Sequence, residues 1–443
     1  MLTSVESEQG VLGAILQNND NLAEVMGKLV VKDFSEPVNQ EIFQIITGYY
    51  EKNSSIDFIT IADQLNEAGA LGYLSDLMAQ PGITKNVSAY IQRIKEVSLS
   101  RKLINLGNIL VHSGETEEPK VLFETACQYL ADLEELEEKQ PRIIKEILVE
   151  YCEVLDQRLK EGGKLLGLST GFTDLDERLN GLKPGNLIII AGRPSMGKTT
   201  LGLNIAEHVG INEKQTALVF SLEMSEAELI EKHVASTGRI PLEQLQTGSV
   251  LTSEKYSSDF SKATDLLATA NIVINDKGGI NFHELRAYCF AVKRQYGLGL
   301  VVIDYLQLMV GQQGEQREAV VSGISRGLKA LAKELQIPII ALSQLNRGVE
   351  SRHIKKPVLS DLRESGSIEQ DADAVILLYR DEYYEKKSQL AGIAEAIVAK
   401  VKMGKTGSVG LAWNGECSRF DNLSYQPDFD QVTARYSDKG FDL

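Results

Sequence analysis

The stretch AGRPSMGKTT, residues 191–200, follows the apolar run NLIII and leads into TTLGLNIAEHV, whose apolar residues recur at helical spacing. A strand, a glycine-containing turn and a helix in that order fit the phosphate-loop pattern. Gly192 opens it, Gly197 and Lys198 close it, and Thr199 supplies a hydroxyl. Gly192 and Gly197 let the backbone bend so that its N–H groups converge on a β-phosphate at the positive end of the helix dipole. Arg193, Pro194, Ser195 and Met196 between them, and Thr200 after them, complete the predicted polyphosphate-binding stretch. Lys198 is expected to bridge the β- and γ-phosphates and Thr199 to ligate Mg²⁺. A chance loop of the same residue types is the alternative.

The loop opens a series of short apolar runs separated by helical patterns: NLIIIAG, TALVFSLEM, NIVIND, GLVVIDY, IPIIALSQ and DAVILLYR. Continuous apolar strands alternating with helices predict an α/β domain, a mostly parallel sheet covered by helices on both faces. The last two runs, AIVAKVKMG and GSVGLAWN, read as an antiparallel hairpin at the sheet edge.

Three further residues stand at the ends of these strands. Asp304 ends GLVVID about a hundred residues after the loop, where a carboxylate holds Mg²⁺ through water opposite Thr199. Glu223, in LVFSLEMS, falls at the strand edge where ligands bind in open α/β sheets, placed to deprotonate an attacking water. A helix N-cap role is the alternative there, Ser221 and Ser225 being cap-like too. Gln344 ends IIALSQ, where an amide can sense a γ-phosphate; a Gln satisfied by backbone is the rival reading. The polar loop PVLSDLRESGSIEQDADAV, with Arg363, Glu364 and Gly366, is either a second-ligand loop or a plain connection.

Ahead of this domain, residues 1 to about 135 read as helical, with breaks at Pro37, NSSID and QPGITKN. They carry no catalytic constellation, which predicts a packing or docking module. A linker over residues 136–165 follows, with a helix starting at Pro141 and an apolar stripe through Ile144, Leu148, Tyr151 and Leu155. Spacing alone favours packing of that stripe on its own chain over docking on a neighbouring subunit. The α/β domain is expected over 166–443.

The chain has 443 residues, 43% of them hydrophobic, with a formal net charge of −16. That charge does not exclude a nucleic-acid partner, because a narrow basic lining can bind while the outer surface stays acidic. Part of the acidic excess sits in DLEELEE, residues 132–138, a solvated face by default. No apolar run reaches the roughly 18 residues needed to span a bilayer, and MLTSVESEQG lacks the features of a signal peptide, which predicts a cytoplasmic protein. The four cysteines, Cys127, Cys152, Cys289 and Cys417, form no CxxC pair and suggest neither disulfides nor zinc.

Together, GRPSMGKTT, SLEMS, VVIDYLQLM, LSQLNRGVESR and DLRESGSIEQDAD, in that order and spacing, resemble the replicative DnaB-type hexameric DNA helicases, which have a RecA-like core. SEQGVLGAIL, KDF and IDFITIADQL extend the resemblance to the family's helical N-terminal domain, so it covers nearly the whole chain. It implies a homohexameric ring that encircles single-stranded DNA and moves 5′ to 3′ on ATP hydrolysis, opening forked duplex, with a primase and a helicase loader as partners. It also implies that the PRIIKEILVEYCEVL helix docks on the neighbouring subunit. Carried over by motif, Lys198 and Thr199 bind nucleotide and Mg²⁺, Glu223 is the catalytic base, Asp304 holds the metal and Gln344 couples the γ-phosphate to DNA loops. Arg363, Glu364 and Gly366 would meet the DNA backbone, which suits sequence-independent tracking.

One departure stands out. Where the family has a Lys-x-Arg pair whose arginine reaches the neighbour's γ-phosphate, this chain has Lys400 and Lys402, in AKVKMGK. Lysine is a point charge without the guanidinium fork, so the finger is weaker or falls to another residue such as Lys405. The segment between NEAGALGYL and SDLM is shorter than is usual in the family, a mark of a phage-encoded or otherwise divergent member. Two rival classes are a RecA-like recombinase acting as a filament and a scaffold that uses ATP only as a switch. The long helical N-terminal region argues against the first, and the presence of both Glu223 and Asp304 against the second.

Overall fold

In the computed structural model, described residues are all but 1–2, 53–57, 66–69, 80–85, 115, 120, 123–124, 127–128, 131–143, 161–164, 310–316 and 430–443. The acidic run at 132–138, Pro141 and Cys127 lie outside the described residues. The chain forms two compact units, Met1–Glu150 and Tyr151–Leu443, with the division inside the helix Ile144–Lys160.

The first unit is helical, as the periodicity predicts. Its main helices are Val5–Gln17, Pro37–Glu51, Ala70–Ala79 and Val87–Ser113. Val11, Leu12 and Ile15 from the first, Ile42, Phe43 and Ile46 from the second, and Ile91 and Ile94 from the last bury together in one core. Pro37 opens its helix at a position where no N–H is needed. The buried Glu8 carboxylate lies close by, accepting hydrogen bonds from Ser35 N at 2.6 Å and Asn39 Nδ2 at 2.9 Å. A carboxylate is favoured at a helix N-terminus, so a buried charge is compensated here.

The helix Ile144–Lys160 leaves Ile144, Leu148, Tyr151, Val154, Leu155 and Leu159 exposed, Leu159 by 81%. Among the described residues, the expectation from spacing that this stripe packs on its own chain finds no support.

The second unit is built on a nine-stranded sheet. Six strands are parallel: β1 (Leu187–Gly192), β2 (Ala217–Ser221), β3 (Ile272–Asn275), β4 (Leu300–Asp304), β5 (Ile339–Gln344) and β6 (Ala374–Tyr379). Three antiparallel strands follow, β7 (Ile393–Val401), β8 (Gly407–Asn414) and β9 (Arg419–Asn422). The order across the sheet is β3-β2-β4-β5-β1-β6-β7-β8-β9. The predicted hairpin is β7–β8, but it is not the edge, because β9 pairs outside it.

Alternation along each central strand sends apolar side chains to both faces. Leu187, Ile189 and Ala191 of β1 enter one core and Ile188 and Ile190 the other, and β2 and β4 divide in the same way. That is why these strands read as unbroken apolar runs: both faces are covered. β1 lies between β5 and β6, so the loop at its C-terminal end opens where the chain connections diverge to either side, the position at which open α/β sheets bind ligands.

Candidate functional site

The phosphate loop leaves β1 at Gly192 and enters the helix Lys198–Ile211 through Gly197. Ser195 has φ 65° and Gly197 φ 96°, so the loop makes two left-handed turns. At Gly197 space demands glycine as well: a Cβ would come within 2.8 Å of Phe420 Cζ and 3.2 Å of Trp413 Cζ3. Pro194 and Ser195 are exposed, whereas Met196 is buried and anchors the loop. Lys198 donates from Nζ to the Arg193 carbonyl at 3.1 Å. Burial pushes its pKa down to about 8, against the upward pull of Asp304 and Glu223, while Arg193 adds to the depression.

Asp304, at the end of β4, reaches the start of the loop helix. Thr199 Oγ1 donates to Asp304 Oδ2 at 2.6 Å, so the two predicted metal ligands are in direct contact. Burial raises the Asp304 pKa, opposed by the Thr199 hydrogen bond and by Lys198, and Glu223 raises it further. A hydroxyl beside a carboxylate offers hard oxygen donors, which fit Mg²⁺. Among the described residues no three His, Cys, Asp or Glu side chains cluster as a metal cage.

Glu223 follows β2, the strand next to β4, and its side chain is exposed. It is not the helix cap. Ser225 caps the helix Glu226–Gly238 in a capping box with Glu228, which leaves Glu223 in the strand-to-helix turn. Among the described residues its carboxylate has no hydrogen-bond or ion-pair partner.

Gln344 pairs with Gly192 in the β1–β5 register, which sets it beside the mouth of the phosphate loop. Its backbone is held by Gln307, which accepts from Gln344 N and donates to Ser343 Oγ at 2.8 Å. The Gln344 side chain makes no hydrogen bond among the described residues and lines a cleft of about 620 Å³ together with Arg193, Gln307 and Asp361. The rival reading of a Gln satisfied by backbone does not hold. Arg193 turns its guanidinium away from the loop, donating to Leu345 O and Glu350 Oε1, both at 2.8 Å. Thr200 Oγ1 lies 3.1 Å from Ser418 Oγ.

Arg363 and Glu364 lie in the short helix Leu359–Ser365, and Gly366 begins the next, Gly366–Asp371; their side chains are outside the described ones. Lys400 and Lys402 are not at this site. Lys402 pairs with the buried Asp373 at 2.9 Å, and Asp373 N donates to Leu187 O, level with the first residue of β1. The phosphate loop is at the other end of that strand, roughly 17 Å away at about 3.3 Å per residue. Lys400 donates to the Glu369 carbonyl and to Gln370 O, at the end of the helix Gly366–Asp371. Burial and the neighbouring Lys402 lower its pKa.

The structure adds residues that sequence reasoning did not single out. Arg380, just past β6, donates from NH1 to the loop carbonyl of Ser195 at 3.1 Å, and Glu382 braces its guanidinium at 2.5 Å. The guanidinium lies 4.5 Å from the Trp413 ring centroid, and Trp413 packs on Phe420 at 4.6 Å. Lys232, whose pKa is lowered by burial and raised by Asp304, reaches Ser418 Oγ at 3.5 Å. A basic residue just past a strand is too common to have marked Arg380. Nothing local marks Trp413 or Phe420.

A mostly parallel sheet with a phosphate loop after β1, a carboxylate at the end of β4 touching the loop's Thr199, and an acid after β2 defines a RecA-like phosphate-loop ATPase. Residues 167–422 match the DnaB-like helicase C-terminal domain and residues 1–96 the DnaB-like helicase N-terminal domain. The chain is 39% identical over 440 residues to the replicative DNA helicase DnaB of Geobacillus stearothermophilus, covering 97% of this chain and 96% of that one. It is 38% identical to the replicative DNA helicase DnaC of Bacillus subtilis (strain 168), over 95% and 94% of the two chains. Among solved structures, a DnaB-like replicative helicase described with its interactions with primase superposes with a TM-score of 0.75 at 33% identity, over 95% of this chain and 100% of that one. A second solved structure, an isolated ATPase domain, superposes with a TM-score of 0.61 at 38% identity, over 64% of this chain and 100% of that one.

The chain belongs to the DnaB-like replicative DNA helicases. It is a helicase with an ATP-hydrolysing domain, and the recombinase and scaffold readings receive no support. Among the described residues no helix is long and apolar enough to cross a membrane.

Proposed function

We propose that the chain assembles as a homohexameric ring around single-stranded DNA and moves 5′ to 3′ on ATP and Mg²⁺, opening the duplex at a replication fork. The observation that carries this reading is the meeting of Lys198, Thr199 and Asp304 at the mouth of one phosphate loop in a chain that resembles DnaB helicases over almost its full length. The organisation follows as a helical domain over 1–135, a linker over 136–165 and the motor domain over 166–443. A primase, with which the DnaB-like structural neighbour interacts, and a loader are the partners. The bacterial cytoplasm, for a host or a phage-encoded chain, is the compartment.

Thr199 and Asp304 would hold Mg²⁺, which would supply positive charge against the phosphates of the nucleotide. Lys198 exchanges the Arg193 carbonyl for the phosphate oxygens. Glu223, unpaired and exposed, accepts the proton of the attacking water. Gln344 senses the γ-phosphate from beside Gly192. Glu223, Asp304 and Gln344 come from β2, β4 and β5, all on one side of β1, so the reacting end of the nucleotide faces that side. The base then leaves on the other side, where Arg380 and Trp413 offer a cation and an aromatic face.

Lys400 and Lys402 sit at the end of the sheet opposite the phosphate loop, beyond reach of their own γ-phosphate, so either one acts only on a neighbour's site. Lys405 is the third candidate for that finger. The exposed stripe of the helix Ile144–Lys160 supports docking on the adjacent subunit. Arg363, Glu364 and Gly366 track the DNA backbone. Native mass measurement together with ATP turnover tests the reading. It expects six copies of the 48.8 kDa chain and turnover that rises with single-stranded DNA. A monomer whose turnover ignores DNA would contradict it.

A further inference from the structure

We infer that Glu350 is a positioning residue that carries the state of the phosphate loop, through the Arg193 guanidinium, to the chain segment leading into Arg363. The inference rests on the proposed reading of Arg363 and its neighbours as the DNA-contacting loop.

Arg193 is held on two sides. Its carbonyl accepts Lys198 Nζ at 3.1 Å, inside the phosphate loop. Its buried guanidinium leaves the loop in the other direction, giving NH1 to Leu345 O and Nε to Glu350 Oε1, both at 2.8 Å. Glu350 belongs to the short helix Arg347–Ser351, where Asn346 caps through its side chain and Val349 is buried, so a pull on Glu350 moves the turn as a unit. The next contacts lead onward. Asn346 N donates to Asp361 O at 3.1 Å, and the Asp361 carboxylate pairs with Arg352 and accepts from Val358 N at 2.7 Å. Asp361 stands two residues before Arg363. Loop and segment are thus joined by a continuous series of charge-assisted and backbone hydrogen bonds.

The loop end of this series has two arrangements. A phosphate oxygen carries far more negative charge than a peptide carbonyl, so a bound polyphosphate draws the Lys198 ammonium away from Arg193. The Arg193 peptide then loses a partner on the side opposite its guanidinium. Glu350 supplies the charge that makes the guanidinium follow the segment; a neutral acceptor in its place gives a bond about half as strong. With its side chain 45% exposed, Glu350 forms a contact that can open and close, unlike a fully buried pair. This route is distinct from Gln344, whose amide faces the cleft and which is held through Gln307.

The test uses the full-length ring and measures single-stranded DNA affinity by fluorescence anisotropy, with ADP and with a non-hydrolysable ATP analogue, for the wild type, Glu350→Gln and Glu350→Asp. The wild type is expected to differ between the two nucleotides by at least about tenfold, within the usual span of coupling between sites. Glu350→Gln should shrink that ratio to about twofold or less, with unchanged affinity for each nucleotide and unchanged DNA-free turnover, and Glu350→Asp should restore part of it. Two results overturn the inference: a Glu350→Gln ratio equal to the wild type's, or a ratio that falls together with nucleotide affinity, which would make Glu350 part of the nucleotide site. A wild type whose DNA affinity ignores the nucleotide would instead overturn the reading of the DNA loop on which the inference stands.

Discussion

Thr199 and Asp304 lie 105 residues apart in sequence and 2.6 Å apart in space, hydroxyl to carboxylate. The contact joins the helix after β1 to the end of β4, two strands away across the sheet. With Thr199 and Asp304 proposed as the Mg²⁺ ligands, metal dependence and loop geometry are expected to be coupled. Asp304→Asn keeps the hydrogen-bonding shape and removes the charge, so turnover should fall by about 10² or more, and raising Mg²⁺ should recover part of the loss. Turnover measured across a Mg²⁺ titration checks this; a loss indifferent to Mg²⁺ would place Asp304 outside the metal site.

Glu223, just past β2, has neither a cap nor an ion-pair role among the described residues. Glu223→Gln should lower turnover by about 10²–10⁴ while leaving ATP affinity within about twofold, because a general base acts on the attacking water and not on binding. Single-turnover hydrolysis beside equilibrium binding separates the two quantities. Equal losses in both would identify a binding residue.

The burial of Lys198 predicts a pH dependence for nucleotide binding. Its pKa stands at about 8, below the usual lysine value of 10.5, so the ammonium predominates below pH 8, is half lost at about pH 8 and is lost progressively above it. A bound polyphosphate favours the charged form, so binding takes up a proton above pH 8. ADP affinity should be flat from about pH 6.5 to 7.5 and fall above 8 with a slope approaching tenfold per pH unit. Calorimetric titration across that range, in buffers of different ionisation enthalpy, also counts the proton.

Trp413 is the chain's single tryptophan, so it reports on its own surroundings. If the nucleoside leaves the loop toward β6 and β8, ADP should change Trp413 emission, and inorganic tripolyphosphate should leave it almost unchanged. Arg380→Ala should weaken ADP binding by about 3- to 30-fold, the range of a partly desolvated cation–π contact, and spare tripolyphosphate. Equal weakening of both ligands would assign Arg380 to loop support through Ser195.

The parts of this site that the sequence revealed are those whose signal is local. The phosphate loop announces itself by glycine spacing between a strand and a helix, and Asp304 by ending an apolar run. The capping box of Ser225 and Glu228 was also visible in SEAE, and it would have removed the cap reading of Glu223 without any coordinates. Arg380, Trp413 and Phe420 were not legible because they become neighbours only through lateral strand order, which places β6, β8 and β9 in sequence along one flank of β1. β9 itself escaped notice because RFDN is four residues long and mostly polar, held to the sheet by β8 and not by an apolar pattern. Lys400 and Lys402 were found as a pair, but only the Asp373 contact reveals which end of the sheet they occupy.

The most direct test of the motor reading is unwinding of synthetic forks by the full-length protein with ATP and Mg²⁺, each fork carrying a single-stranded tail of one polarity on the loading strand. A 5′ to 3′ ring predicts strand separation only when the loading tail is 5′, and none with Lys198→Ala. Separation that requires a 3′ tail, or that persists in Lys198→Ala, would contradict it.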